Sequence, residues 1–308
     1  MAPRIHLLYL LTPPALLYLL TPPALLTYTT HRTLTQLERK YPAIPPAQGS
    51  TPALTTPTHP STQRCAEIDI YQARVPVRAL LRAEAAITGT ATNNITENPA
   101  TDQTTSPKVS PATLQTAWAH LFLTSPILQT EAKLIGLFTQ GGFHPGDVGL
   151  SAGGFALVAA DTVTETDHPE RHGQGQGQSQ SQAPPPQKRK LINGGFTVER
   201  TPENPGGLLA SWRIPDEARR VFEWAAQWGY PCRLMSGGRH EWGVSEVYFS
   251  ESEKEWVVDV RFGSAHDYEI VAAEGDRQKV VPRWVGRLHR GYARVLVEDA
   301  VRRLARYD

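Results

Sequence analysis

The spacing of apolar residues divides the chain into a helical part, a strand-rich part and a final long helix. Residues 66–75 (AEIDIYQARV) alternate at period two, with Ile68 and Ile70 facing one way, and predict a first strand. Residues 78–87 suit a short helix. Between 111 and 138, Leu114, Ala117, Trp118, Leu121 and Phe122 keep helical spacing. Ser125-Pro126 breaks the run, and Ile127, Leu128, Ala132, Ile135 and Leu137 resume it. Two helices are expected, the first with Ser110 at its N-cap and the second stopped by Gly141-Gly142.

Past Gly149 the period shortens. Residues 155–164, 191–200, 208–214, 231–249, 256–262 and 266–272 are the expected strands, with a turn at Pro205-Gly206-Gly207 and a polar turn at 250–254. Gly237-Gly238 inside the 231–249 run suggests a bulge, a bend, or a close approach of ligand or backbone. A helix at 215–228 interrupts this series, its apolar side supplied by Val221, Phe222, Trp224, Ala225 and Trp228. Residues 283–307 predict the final helix, with Trp284, Leu288, Tyr292, Val295, Leu296 and Leu304 on an apolar side. Arg283, Arg287, Arg290 and Arg294 form a basic stripe, expected to face solvent or the anionic headgroups of a membrane. This order is that of an α+β protein. Strands and helices do not alternate, and no Gly-rich phosphate loop follows a strand, which disfavours a doubly wound sheet.

Three domain-scale segments follow from the same pattern: 1–30, 31–64 and 65–308. Residues 5–28 carry no charge and contain a direct repeat, LLYLLTPPA at 7–15 and again at 16–24. As a helix they would run roughly 36 Å, enough for a hydrocarbon core of about 30 Å. A single-pass membrane anchor kinked at its Pro pairs, a cleaved signal peptide and a non-spanning hydrophobic tail are the open readings. Arg4 precedes the stretch, while Arg32, Arg39 and Lys40 follow it, which favours a membrane protein with a cytosolic body, for which the endoplasmic reticulum is a plausible site. The sequon at Asn94 points the other way. Residues 31–41 suit a short amphipathic helix, and 42–64 read as a Pro/Thr-rich linker. A Gly/Gln/Ser/Pro run near 170–190 reads as a disordered loop between two strands.

Composition removes some functions. Lys+Arg 31 against Asp+Glu 30 gives a formal net charge of +1, so no long-range field attracts nucleic acid. The two cysteines, Cys65 and Cys232, form no metal-binding spacing and fit a reducing compartment. No cofactor fingerprint or metal motif is present; HEWGV at 240–244 departs from HExxH because Val244 stands at the second histidine position.

Arg239, His240 and Glu241 are consecutive. On a strand Arg239 and Glu241 share one face, and His240 joins Trp242 on the other. With the Trp242 face on a cavity, His240 is the candidate general acid/base, and Trp242, Arg239, Glu241, Trp284 and Trp118 are candidate pocket residues. The plainer alternative is a rim histidine beside a surface Arg–Glu pair. Asp259 and Arg261 are further catalytic candidates that would orient a polar ligand group, or else cross-strand partners on the exposed side. His266-Asp267, just past Gly263-Ser264, is expected in a turn. His144 and Asp147 lie in a loop that caps a pocket mouth or simply turns the chain. The tryptophans 118, 224, 228, 242, 256 and 284 are expected mostly in the core.

The segments at 117–138, 207–215, 230–249 and 284–304, in this order, resemble the START/SRPBCC (helix-grip) superfamily. The N-terminal anchor and Thr/Pro-rich linker also resemble a group of fungal proteins. The resemblance implies a curved antiparallel sheet wrapped around the C-terminal helix, with an apolar cavity between them. It implies a hydrophobic small molecule as partner: a polyketide or terpenoid intermediate that is bound and cyclised or isomerised, in fungal secondary metabolism, or a lipid or sterol that is carried. A structural membrane protein without ligand is the third reading. The superfamily has no universal catalytic residue, so the resemblance assigns none. The helix at 215–228 and the Gln-rich loop depart from its pattern.

Overall fold

The computed structural model describes residues 13–90, 107–151, 153–156 and 188–307. The eight helices among them are α1 (Pro13–Lys40), α2 (Pro46–Gly49), α3 (Pro52–Thr55), α4 (Val77–Thr88), α5 (Pro111–Leu123), α6 (Pro126–Gln140), α7 (Asp216–Gln227) and α8 (Arg283–Leu304). The strands are β1 (Gln63–Pro76), β2 (Lys190–Leu191), β3 (Phe196–Arg200), β4 (Leu208–Arg213), β5 (Gly237–Val244), β6 (Tyr248–Ser250) and β7 (Glu255–Glu269). They form one 7-stranded sheet in the order β1-β7-β5-β4-β3-β2, with β6 on β7, and every pairing is antiparallel. The fold is α+β, an antiparallel sheet with a long C-terminal helix.

Local chemistry accounts for most boundaries. Pro126 starts α6 where the amide hydrogen is not needed, and Gly141 ends it in the left-handed region at φ 68°. Ser110 occupies the N-cap of α5, but its side chain makes no cap hydrogen bond. The strand expected over 191–200 is instead a hairpin. A 3-10 turn at Ile192–Gly194, with Asn193 at φ 54°, separates β2 from β3.

The strands expected at 256–262 and 266–272 are one strand, β7. Gly263-Ser264 does not turn the chain, because both residues pair with β1 on one side and β5 on the other. A central strand bonded along both edges holds a glycine extended that an isolated segment would not. Gly237-Gly238 marks a close backbone approach: a methyl on Gly238 would overlap the carbonyl oxygen of Ala265, and one on Gly237 that of Trp212. The strand expected at 155–164 and the loop near 170–190 fall almost wholly outside the described residues.

The core lies on one face of the sheet, under α4, α5, α6 and α8. Phe122 stacks on Phe262 at a centroid distance of 4.7 Å and meets Trp242 edge-on at 5.7 Å. Trp118 is fully buried, and its indole N–H donates to the Arg261 carbonyl at 2.9 Å.

The opposite face is covered by the stretch expected to be a linker. Residues 42–62 carry α2 and α3, Ile44 N–H donates to the Ile70 carbonyl at 3.0 Å, and Leu54 is fully buried against Leu209 and Ala265. A few apolar side chains suffice to dock a Pro/Thr-rich segment when a ready-made sheet face receives them.

The helix α1 reaches back over α8. Arg287 forms a two-point pair with Glu38, at 2.9 and 3.0 Å, and Arg294 donates to the Tyr41 carbonyl at 2.9 Å while its guanidinium lies 4.3 Å over the Tyr71 ring. The basic stripe of α8 is therefore in large part a helix-docking surface instead of a solvated or headgroup-binding one. Residues 5–12 of the uncharged run lie outside the described residues, and the rest begins α1. Among the described residues, no helix is long and apolar enough to cross a membrane.

Three of the tryptophans expected in the core stand outside it. Trp224 and Trp228 on α7 are 62% and 77% exposed, and Trp284 at the start of α8 is 67% exposed. The apolar side read for α7 faces outward, with only Ala226 of that helix buried.

Candidate functional site

A cavity of about 290 Å³ lies between the inner face of the sheet and helices α5, α6 and α8. Phe122, Phe196, Trp212, Trp242, Phe262 and Leu296 supply most of its apolar wall. His240 of β5 and His289 of α8 reach the same wall, with Tyr292 and Glu131 hydrogen-bonded to each other beside them.

Strand alternation places these groups. In β5, His240 and Trp242 face the cavity, while Arg239 and Glu241 face away. Arg239 is buried on the outer face, where its guanidinium pairs with both oxygens of Asp267 and its Nε donates to the Leu54 carbonyl at 2.9 Å. Glu241 takes Arg200 at 2.8 Å and the Thr51 backbone N–H at 3.2 Å. These two residues clamp the N-terminal segment onto the sheet and do not line the cavity.

Asp259 and Arg261 also face away from it. Asp259 accepts from the Tyr248 hydroxyl at 3.0 Å, and Arg261 donates to Gln72 at 3.1 Å, so both serve as cross-strand partners. Trp118 packs in the core beside the cavity, and Trp284 stands away from it. Asp147, expected at a pocket mouth or in a plain turn, accepts from the Gly149 backbone N–H at 2.8 Å and from Arg189 Nε at 2.7 Å, and neither it nor His144 lines the cavity. The carbonyl of His144 accepts from the Asn193 amide at 2.6 Å.

Burial sets the electrostatics. His240 is held well below the usual histidine range, chiefly because the imidazolium would be desolvated, with the neighbouring imidazoles of His289 and His266 adding to it. His289 is pushed down to about 4 for the same first reason, with His266 next. Both rings are neutral at pH 7. Three buried donor or acceptor atoms on cavity-lining residues have no hydrogen-bond partner among the described residues: Nδ1 of His240, Nε1 of Trp212 and Nε1 of Trp242.

Behind His289 lies a second polar cluster. His266 is 2% exposed and sits in mid-strand, its Nε2 2.9 Å from Nε2 of His289, so one of the two rings donates to the other. The bulge in β1 between Cys65 and Glu67 brings Glu67 opposite His266 and Asp69 opposite Ser264. Glu67 Oε2 lies 3.8 Å from Nδ1 of His266 and 3.8 Å from Nη1 of Arg290. The interaction with His266 is the first cause holding the Glu67 carboxyl below its usual range, whereas burial pushes Asp69 up. Adjacent strand residues face opposite ways, so His266 and Asp267 do not form a dyad.

His289, Glu67 and Asp69 were not among the residues singled out from the sequence, and His266 was singled out only beside Asp267 in an expected turn. A signal for His289 was present, because His289, Tyr292, Ala293 and Leu296 recur at helical spacing on α8 and all line the cavity. No local signal points to Glu67 or Asp69, whose position depends on the β1 bulge.

No protein-family model, curated protein or solved structure matches this chain.

Proposed function

We propose that the chain binds an apolar small molecule carrying at least one oxygen acceptor, of polyketide or terpenoid character, in the cavity between sheet and α8. The observation that carries this reading is the pairing of an aromatic and aliphatic wall with unpartnered polar atoms on Trp212, Trp242 and His240. An indole N–H can only donate, so the complementary ligand group is a carbonyl, ether or hydroxyl oxygen. These polar atoms lie just beneath the cavity surface, and each left unpaired costs about 1–3 kcal/mol, which a ligand oxygen removes once the ring edge turns toward it. A volume of about 290 Å³ sits at the small end of the roughly 300–1,000 Å³ of ligand pockets.

Holding the molecule is favoured over transferring its protons. A general base works best with a pKa near the working pH, and burial takes both cavity histidines below that. His240 then serves as a neutral hydrogen-bonding group instead of an acid or base. The helix-grip architecture belongs to the same proposal: two helices follow β1 and α4, and the terminal helix closes over the sheet with the cavity between them. Attachment to a membrane through residues 5–28 rests on their apolar, uncharged composition.

Binding is tested by titrating the full chain with 2-acetylnaphthalene and with naphthalene, reading quenching of tryptophan emission. One saturable site is expected, with the ketone tighter by roughly tenfold, the worth of one hydrogen bond. Ala293→Phe, which fills the cavity, is expected to abolish both. Absence of saturable binding by either compound overturns the reading, and equal affinity removes the oxygen acceptor from it.

A further inference from the structure

We infer that Glu67, Asp69 and His266 form a binding site for a divalent transition-metal ion of the zinc class, next to the cavity and independent of what the cavity holds. Each side chain offers one ligand atom, and the three atoms lie within 4.8 Å of one another. In tetrahedral coordination at about 2.0–2.2 Å per ligand the ligand atoms sit roughly 3.3–3.6 Å apart, so the three must close by up to about 1.5 Å, a shift that rotation of the two carboxylate side chains supplies.

The polar atoms of this cluster are not consumed by one another. Nδ1 of His266, on a side chain 2% exposed, has no hydrogen-bond partner and faces Glu67 Oε2 at 3.8 Å; Oδ2 of Asp69 is likewise buried and unpartnered among the described residues. In the tautomer of His266 that carries its hydrogen on Nε2, Nδ1 presents a lone pair to the facing carboxylate oxygens. A cation satisfies both.

The surroundings fit the requirements of a metal-bound histidine. Such a ring donates its other N–H to an outer acceptor, which fixes tautomer and orientation. Here Nε2 of His266 is 2.9 Å from Nε2 of His289. With Nδ1 on the ion, His266 donates from Nε2 and His289 accepts. The β1 bulge supplies the two carboxylates on the same face as His266. Three protein ligands leave positions for water.

Two cations oppose the ion. Arg290 lies 3.8 Å from Glu67, and Arg294, over the Tyr71 ring, also acts on Asp69. Arg290 is the direct competitor for the Glu67 oxygen. One imidazole with two carboxylates selects zinc over manganese, by the general affinity order, and disfavours magnesium, which prefers oxygen ligands alone.

The experiment is calorimetric titration of the full chain with Zn²⁺ at pH 7, with Mn²⁺ and Mg²⁺ alongside. One Zn²⁺ per chain is expected, tighter than Mn²⁺, with no heat from Mg²⁺. Asp69→Asn and His266→Gln are each expected to weaken Zn²⁺ by at least tenfold, and His289→Gln by 10–100-fold, the usual effect of losing an outer-shell partner. Arg290→Gln, on a partly exposed side chain, is expected to tighten it. No Zn²⁺ binding, or an affinity unchanged in Asp69→Asn and His266→Gln, overturns the site. Should those two variants fail to fold, an affinity not raised in Arg290→Gln overturns it as well.

Discussion

Replacing Asp267 by alanine tests whether the N-terminal segment is an integral layer of the domain. Asp267 and Arg239 lie on the outer face of neighbouring strands, at 1% and 3% exposure, and are shielded there by residues 51–58. Nη2 of Arg239 meets Oδ1 at 2.8 Å, the second guanidinium nitrogen meets Oδ2, and Nε donates to the Leu54 carbonyl. Removing the carboxylate leaves an uncompensated guanidinium under that cover, a change that costs about 3–5 kcal/mol. The same pair on an exposed surface would be worth about 0–1 kcal/mol. At roughly 2–4 °C per kcal/mol for a domain of this size, Tm should fall by about 6–20 °C. Urea unfolding followed by tryptophan emission measures the loss directly, with the slope unchanged if only stability moves. The double substitution Arg239→Met with Asp267→Leu should recover most of it, because a packed apolar pair avoids the desolvation of both charges. A loss under about 1 kcal/mol for Asp267→Ala would show the pair to be solvated, and the covering of the sheet by residues 51–58 would be refuted.

Further outcomes follow from the same geometry. Stability should fall on acidification from about pH 6.5 towards 4. There the unfolded chain protonates His240 and His289 while the folded one holds them neutral. Glu67, lowered in the fold, adds to that loss and Asp69, raised, opposes it. His289→Gln should flatten the urea midpoint against pH in this window, and an unchanged profile would contradict the burial argument. Gly238→Ala should cost at least about 1–3 kcal/mol, since its methyl meets the Ala265 carbonyl and the Trp212 ring; a neutral result in thermal unfolding would contradict that close approach. Leu54→Ala should cost about 2–5 kcal/mol in urea, as for any fully buried leucine, and a surface-like value would argue that α3 is not docked.

Local rules accounted for the features that depend on neighbours in the chain. The break at Ser125-Pro126, the stop at Gly141 and the opposite faces of Arg239/Glu241 and His240/Trp242 are each set by backbone geometry within a few residues. Contacts distant in sequence decided the rest. Period-two alternation separates two faces but does not say which one meets a helix, so His240 reached the cavity while Arg239 and Glu241 became clamps for residues 42–62. The continuity of β7 through Gly263-Ser264 comes from hydrogen bonds on both edges, which only a central strand has. The stripe of arginines on α8 reads as solvated until α1 brings Glu38 to Arg287 and Tyr41 to Arg294. The Glu67, Asp69 and His266 cluster joins two strands almost two hundred residues apart through a single bulge. Sequence thus determined what each segment can form and which side chains share its faces; tertiary structure decided what each face meets, because burial and pairing energies belong to contacts and not to segments.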